Sequence, residues 1–194
     1  MTSALTAANQ ITLLRMLLIP AFVILVVYGH LGWALLVFAT AGVTDALDGV
    51  IARRSGQRTA LGAWLDPMAD KLLLVTAFIV LTLPNLGLAN RLPIWLTVLI
   101  ISRDVVIVLT VAIISLAIGP RTFRPSFYGK IATATYIVTA VVAMLFNWLG
   151  YHSVIVDLGV WATLAVTLVS GFHYIWHVAR IIEQPEGRGR TRVA

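Results

Sequence analysis

The chain has 194 residues, of which 60% are hydrophobic and 11% are charged, and its formal net charge is +6 at pH 7. Soluble domains carry about a quarter of their residues as charged side chains, so this composition excludes an ordinary soluble domain and favours a protein that lies in lipid. The absence of cysteine excludes disulfides and thiolate metal sites, and basic residues scattered between apolar segments argue against nucleic-acid binding.

Six apolar segments follow one another along the chain, each near or above the ~20 residues that cross a bilayer as a helix. They run over Ile11–Tyr28, Leu31–Ala52, Ala60–Leu83, Leu92–Ile118, Tyr128–Leu149 and Val154–Ile182. Five similar segments follow the first, and it shows no small-residue cleavage pattern, so it is interpreted as a span and not as a signal peptide. We predict an all-α integral membrane domain over residues 1–182, a bundle of six transmembrane helices with a cytoplasm-facing active-site cavity.

Four of the eight acidic residues lie within 26 residues, at the end of the second span and the start of the third: Asp45, Asp48, Asp66 and Asp70. Charge inside a membrane segment costs several kcal/mol, so such residues usually face a polar cavity and have a function. The first pair is spaced i, i+3 and the second i, i+4, so each pair projects from one helical face. The linker 53–59 folds the two helices into a hairpin that brings the pairs to the same level.

Converging carboxylates repel one another unless a cation lies between them. Hard oxygen ligands favour Mg²⁺ or Mn²⁺, with Ca²⁺ as an alternative, and the lack of His or Cys in the cluster argues against zinc. Gly49, Ala52 and Gly62 remove bulk from the same helical faces, and Arg53 adds a cation suited to phosphate. These are the components of a pyrophosphate site in which two metal ions neutralise the diphosphate.

The pattern Asp45-x2-Asp48-Gly49-x2-Ala52-Arg53-x8-Gly62-x3-Asp66-x3-Asp70 resembles the signature of the CDP-alcohol phosphatidyltransferase family, with every signature position filled. The resemblance implies a six-helix membrane enzyme, typically a homodimer, that transfers a phosphatidyl group from CDP-diacylglycerol to an alcohol and releases CMP.

The resemblance also implies roles for the signature residues. Asp45, Asp48 and Asp66 would ligate the metals, and Asp70 would contribute a ligand and act as general base on the acceptor hydroxyl. The residues expected to hold the CDP part are Gly49, Ala52, Arg53 and Gly62.

Acceptor identity must come from residues outside the signature. Arg103 lies in the fourth span, where an unpaired cation is costly, so we expect it to bind the phosphate of the acceptor or of a lipid, with a membrane carboxylate as the alternative partner. Asp104 is not expected to be that partner, because adjacent helix positions diverge. In the first span, Arg15 is interpreted equally as functional or as a side chain that snorkels to the interface.

The basic loop 119–130 supplies two more candidates for the acceptor phosphate, Arg124 and Lys130. Gly129-Lys130-x2-Thr133 resembles a stretch of phosphatidylglycerophosphate synthases, which makes glycerol 3-phosphate the first acceptor expected. Two positions depart from those synthases: Val111 stands where they carry a further arginine, and Tyr136 stands where they tend to carry Gln. Arg103-Asp104 followed by an apolar residue is more similar to cardiolipin synthases. The alternative acceptor is therefore phosphatidylglycerol, which needs a lipid-accessible groove.

Positive charge sets the expected orientation. The loops after the second and fourth spans and the tail together hold ten basic residues, whereas the opposite loops hold Arg91 alone, which places both termini and the active site in the cytoplasm. The tail, 183–194, is basic, contains Pro185, Gly187 and Gly189, and is expected to be disordered and to lie on anionic lipid.

Three other interpretations compete with the enzyme. A divalent-cation transporter would place acids on several spans along a path, whereas these acids cluster on one hairpin. A non-catalytic scaffold has no need of an intact signature. A structural network of the acids with Arg53, Arg54 and Lys71 would not require small residues at matched positions. In the sixth span, His173 and His177 have metal-like spacing but no neighbouring acid, so a packing role is expected.

Overall fold

A computed structural model describes the chain over residues 7–55, 60–118 and 127–182. Within these ranges, the side chains of 7–13, 45–68, 70, 111, 114–115, 117–118 and 177–182 lie outside the description. The described part is all-helical. Its helices are α1 (Ala7–Val27), α2 (Leu31–Ser55), α3 (Ala60–Thr82), α4 (Ile94–Ile118), α5 (Phe127–Leu149) and α6 (Val154–Ile182), with one 3₁₀ turn at Pro84–Leu86.

The helix bounds confirm the six predicted segments to within a few residues. Two helices are longer than the predicted segments: α1 begins at Ala7, four residues early, and α2 continues to Ser55. The predicted seven-residue linker is therefore wrong, because only residues 56–59 separate α2 from α3. Helix α2 continues past the apolar segment because Arg53 and Arg54 are themselves favourable in helices.

Glycines lie at three turns where the polypeptide chain leaves a helical segment and changes direction. Gly29, Gly87 and Gly150 have positive φ, the left-handed conformation that side-chain-bearing residues rarely adopt. After α1, the His30 amide donates to the Leu25 carbonyl at 2.8 Å and the Gly29 amide donates to the Val26 carbonyl at 3.0 Å. This pair of bonds is a Schellman motif, which satisfies the last carbonyls of α1 and turns the chain into α2.

The helices pack closely through small residues. Helix α1 contacts α2 and α3, α5 contacts α2, α3 and α6, and α4 contacts α3 and α6. Fully buried alanines lie in these interfaces, including Ala41, Ala77, Ala140 and Ala143. Packing of small residues is typical of helices in lipid, where burying apolar surface supplies little driving force.

Two helices of the described part are long and apolar enough to cross a membrane, Phe127–Leu149 and Val154–Trp176. Only 33% and 28% of their apolar windows are buried inside the molecule. Large apolar side chains are correspondingly exposed: Trp161 is 62% exposed, Phe172 70% and Leu116 89%. A helix in the core of a soluble protein would be mostly buried, so this surface is suited to lipid.

At one end of the bundle, the segment before α4 is attached to the α5–α6 turn by what we call the Asn90 cluster: Asn90, Asn147, Ser153 and the Tyr151 carbonyl. The Asn90 amide donates to Asn147 Oδ1 at 2.7 Å, and Asn147 Nδ2 donates to the Asn90 carbonyl at 3.2 Å. Asn90 Nδ2 donates to the Tyr151 carbonyl at 2.9 Å, and Asn90 Oδ1 accepts from the Ser153 amide at 2.8 Å. Every polar group of Asn90 is thereby used.

Candidate active site

The four aspartates lie on the paired helices that the sequence predicts. Asp45 and Asp48 are in α2, and Asp66 and Asp70 are in α3. Because both segments are helical, each pair does share a face. At 1.5 Å per residue, Asp48 lies ~10 Å from the end of α2 and Asp66 ~9 Å from the start of α3, which places them at similar levels beside the short connection.

The aspartate side chains lie outside the described part, as do the side chains of Ala52 and Arg53 and the surroundings of Gly49 and Gly62. Arg124 lies wholly outside it. Among the described side chains there is no group of three or more His, Asp or Glu that could hold a metal ion. The donor set that fits a divalent cation is the four carboxylates on α2 and α3, since all four supply hard oxygen.

Immediately after Asp70, Lys71 connects α3 to α4. Lys71 Nζ lies 2.8 Å from Asp104 Oδ2, and Arg103 Nη1 lies 2.7 Å from Asp104 Oδ1. Arg103 Nη2 donates to Ser170 Oγ of α6. We call Lys71, Arg103, Asp104 and Ser170 the Asp104 cluster; it joins three helices at the level of Asp70.

The expectation that Asp104 cannot pair with Arg103 is wrong. Adjacent helix positions do diverge, but the arginine side chain is long enough to curve back to a neighbouring carboxylate. The side chains of Arg103 and Asp104 are 12% and 18% exposed, so each would be costly to leave unpaired.

Charge within the Asp104 cluster does not balance. Lys71 and Arg103 are two cations, and they share the single carboxylate of Asp104. Within the described part of the chain, Arg103 Nε is also buried and has no hydrogen-bond partner. Counted over the side chains that the structure describes, the cluster therefore retains one positive charge and one donor, which suits it to an anion.

Lys130 lies in the first turn of α5 and is exposed. Its helical turn is placed against α6 by Tyr128, whose ring centroid lies 4.5 Å from that of His173. The packing role expected for His173 is consistent with this contact, while the side chain of His177 is outside the description. His173 and Ser170 are three residues apart on α6, so the first turn of α5 and Arg103 both lie beside the same stretch of that helix, while Lys130, two positions after Tyr128, projects from a different side of α5.

Tyr136 has a local role in the helix interface. Thr167 Oγ1 donates to the Thr163 carbonyl at 2.6 Å, so the Tyr136 hydroxyl, 2.7 Å away, donates to Thr167 Oγ1. The Tyr136 ring packs edge-on against Phe78, with centroids 6.1 Å apart. The side chain thus joins α3, α5 and α6.

Arg15 is a residue whose importance the sequence left undecided. It is only 2% exposed and is among the largest fully buried side chains of the described part. A snorkelling side chain would reach the surface, so that interpretation is wrong. Arg15 could have been given more weight from its position in an apolar span, where a buried cation is rarely without function.

Comparison with known proteins identifies the fold that carries these features. Residues 5–170 match the family model for CDP-alcohol phosphatidyltransferases. The chain belongs to the CDP-alcohol phosphatidyltransferase family. It is therefore an enzyme that transfers substituted phosphate groups in phospholipid biosynthesis, as the aspartate signature predicts.

Relatives that are similar to this chain include phosphatidylglycerophosphate synthases and cardiolipin synthases. The chain is 34% identical over 184 residues to the probable phosphatidylglycerophosphate synthase of Mycobacterium tuberculosis, covering 90% of this chain and 82% of the relative. It is 32% identical over 188 residues to the cardiolipin synthase (CMP-forming) of Streptomyces coelicolor, covering 92% and 85%. It is also 32% identical over 191 residues to the human cardiolipin synthase (CMP-forming), covering 90% of this chain but only 62% of the human protein.

Members of the CDP-alcohol phosphatidyltransferase family generally use divalent metal ions and act on CDP-alcohol donors and alcohol acceptors. The four-carboxylate donor set of α2 and α3 agrees with that chemistry, because it is rich in hard oxygen and free of soft ligands.

Proposed function

We propose that this enzyme transfers the phosphatidyl group of CDP-diacylglycerol to the hydroxyl of an acceptor that itself carries a glycerol phosphate. The acceptor oxygen bonds to the β-phosphorus, the bond from that phosphorus to the oxygen bridging to CMP breaks, and CMP leaves with that oxygen. The observation that supports this most directly is the placement of all four signature aspartates on two consecutive helices joined by residues 56–59.

Each signature residue has a proposed part in the reaction. Asp45, Asp48, Asp66 and Asp70 would hold two divalent cations, Mg²⁺ or Mn²⁺, which supply charge neutralisation to the diphosphate when bound. Gly49, Ala52, Arg53 and Gly62 would hold the CDP part. Asp70 would take the proton from the acceptor hydroxyl.

Binding of the acceptor phosphate is assigned to Arg103, Arg124 and Lys130. Support comes from the unbalanced positive charge of the Asp104 cluster and from the position of Lys130 on the turn of α5 next to α6. Lys71 directly follows Asp70 and pairs with Asp104, which also pairs with Arg103. A phosphate at Arg103 would therefore lie close to the level of Asp70, the proposed base.

Two acceptors fit this proposal. Glycerol 3-phosphate is favoured by the Gly129-Lys130-x2-Thr133 stretch and by the name of the Mycobacterium tuberculosis relative. Phosphatidylglycerol is favoured by Arg103-Asp104 and by the relatives named cardiolipin synthase. Asp104 offsets part of the positive charge at Arg103, which suits a monoanion better than a dianion.

For the membrane arrangement we propose six spans, with both termini and the active site cytoplasmic, and a homodimer. The ten-to-one division of basic residues between the two sets of loops supports the orientation. Since the natural chain has no cysteine, single cysteines at positions 57 and 89 can be labelled from either side of sealed vesicles. Labelling of both positions from the same side would contradict this topology.

The activity is tested by CMP release from CDP-diacylglycerol in detergent or proteoliposomes, with Mg²⁺ or Mn²⁺ and each acceptor in turn. Release is expected with one of the two acceptors and should stop in EDTA. Full turnover in chelator with no metal retained would contradict the metal site. Metal-dependent cation flux without CMP release would favour the transporter alternative, and the absence of both would favour a scaffold.

A further inference from the structure

Helices α4 and α6 run parallel and in fixed register. Arg103 contacts Ser170, and four residues further along each helix the Tyr174 hydroxyl donates to the Ile107 carbonyl at 3.2 Å. Towards the other end, Trp95 and Trp161 pack with ring centroids 6.3 Å apart. These contacts hold the two helices side by side along their length.

Between those contacts the helices leave a groove of about 220 Å³, which we call the α4–α6 groove. Its walls are mainly apolar and include Val106, Phe172 and Ile175, which are 47%, 70% and 59% exposed. Gly171 also lines it, and a Cβ atom built on Gly171 would meet nothing within 4 Å. The groove is therefore open to the outside of the helix bundle, and the absence of a side chain at Gly171 widens it.

Arg103 also lines the α4–α6 groove. Its guanidinium belongs to the Asp104 cluster, in which two cations share one carboxylate. An apolar groove with Arg103 in its wall, beside a cluster whose described side chains carry one excess positive charge, is complementary to an anionic phospholipid. A soluble glycerol phosphate would gain nothing from the apolar walls.

We propose that the α4–α6 groove binds an acyl chain of a phospholipid acceptor, a monoanionic phosphodiester of the phosphatidylglycerol type, with its phosphate at Arg103. This inference rests on the proposed function, because it names the acceptor class of the same site. It also assigns Gly171 as a specificity-determining position. The free headgroup hydroxyl would then lie beside the Lys71–Asp104 ion pair, at the level of Asp70.

Filling the groove tests the inference. Gly171→Leu projects a side chain into open space and replaces a poor helix former with a good one, so folding should be preserved. We expect the KM for dioleoyl phosphatidylglycerol to rise at least tenfold, with less than a twofold change in the KM for CDP-diacylglycerol. Ala162→Leu is the matched control, because Ala162 is exposed on α6, nine residues before Gly171, which places it on the opposite side of the helix.

A second measurement does not depend on turnover. Phosphatidylglycerol with a diazirine in its acyl chain, photolysed with the wild-type protein, should attach to residues of the α4–α6 groove and should lose that attachment in Gly171→Leu. Attachment spread evenly over the lipid-facing surface would overturn the proposal. So would disulfide-linked dimers of Gly171→Cys, because they would show that a second copy covers the groove.

The outcomes separate this inference from the proposed function. CMP release with glycerol 3-phosphate alone, together with unchanged kinetics in Gly171→Leu, would overturn the lipid groove and leave the phosphatidyltransferase proposal intact. Groove-specific photolabelling without CMP release from any acceptor would support the lipid site and contradict the proposed reaction.

Discussion

The Asn90 cluster and the Asp104 cluster both connect helices through polar contacts, but they differ in how completely those contacts are satisfied. Asn90 uses its backbone and side-chain groups in four hydrogen bonds between uncharged partners. The Asp104 cluster has two cations for one carboxylate and a buried Arg103 Nε without a partner in the described part of the chain. A closed set of contacts stabilises a fold, whereas an open set has capacity for a ligand.

The comparison predicts that changes near the Asp104 cluster affect the reaction and that changes at the Asn90 cluster affect stability. The largest effect is expected at Asp70, which directly precedes Lys71. Asp70→Asn keeps the size of the side chain and removes the basic oxygen. A positioned base contributes about 10²–10⁴-fold, so kcat should fall at least ~10²-fold while CDP-diacylglycerol still binds with Mg²⁺.

Asp48→Asn is the informative contrast for Asp70→Asn. Loss of a proposed metal ligand should weaken binding of Mg²⁺ and of a CDP ligand, as measured by calorimetric titration in detergent. Equal loss of nucleotide binding in both variants would identify Asp70 as mainly a metal ligand and would remove the general-base assignment.

The next largest effect is expected at the acceptor phosphate. Arg103→Gln removes a charged hydrogen-bond donor worth about 1.5–3 kcal/mol, so the KM of the acceptor should rise roughly tenfold or more, with a smaller change for CDP-diacylglycerol. Lys130→Gln and Arg124→Gln should act in the same direction. Arg91→Gln is the control, because Arg91 is exposed and lies beside the Asn90 cluster.

Equal changes in the KM of both substrates would mean that Arg103 organises the helices and does not bind the acceptor. Because Arg103 contacts Ser170, Ser170→Ala helps to separate these roles: it removes the contact with α6 and keeps the positive charge.

The sequence predicted the six helices well because each apolar run is long and is followed by a residue that favours a turn, such as Gly29 or Gly150. The sequence did not predict that α2 continues to Ser55, because hydropathy indicates where an apolar segment ends and does not indicate where its helix ends. The aspartate signature was readable because a helical period determines which carboxylates share a face.

Contacts between distant helices could not be predicted in the same way. No local pattern places Ser170 beside Arg103 or Asn147 beside Asn90, because these pairs depend on how whole helices pack. The pairing of Arg103 with Asp104 was missed for a different reason: helical geometry fixes the direction of Cβ and leaves a long side chain free to curve.

A smaller effect, on stability alone, is expected at the Asn90 cluster. Asn90→Ala leaves the Tyr151 carbonyl and the Ser153 amide without their partner, and a buried unsatisfied group costs about 1–3 kcal/mol. For a chain of this size, Tm falls by roughly 2–4 °C per kcal/mol, which a thermal-shift measurement in detergent resolves. Asn85→Ala, at an exposed position in the 3₁₀ turn, should leave Tm unchanged. A normal Tm together with lost activity in Asn90→Ala would contradict the structural role of the Asn90 cluster and would assign it a part in the reaction.

The smallest effect is expected at Tyr136, which lies between the two clusters and carries the residue type that differs from phosphatidylglycerophosphate synthases. Tyr136→Phe removes one hydroxyl, and the hydrogen bond that it donates to Thr167 lies within the helix bundle. Interhelical hydrogen bonds in membrane proteins contribute about 0.6 kcal/mol on average, so Tm should fall by only a degree or two.

Thr167 also lines the α4–α6 groove, but its hydroxyl already donates to the Thr163 carbonyl, so losing the Tyr136 hydroxyl frees no donor for a ligand. The ratio of kcat/KM between phosphatidylglycerol and glycerol 3-phosphate should therefore stay within twofold of the wild type. A larger shift in that ratio would mean that Tyr136 selects the acceptor. The hydrogen-bonded hydroxyls of Tyr136 and Thr167 would then take part in acceptor binding, like the Asp104 cluster, and would not be purely structural.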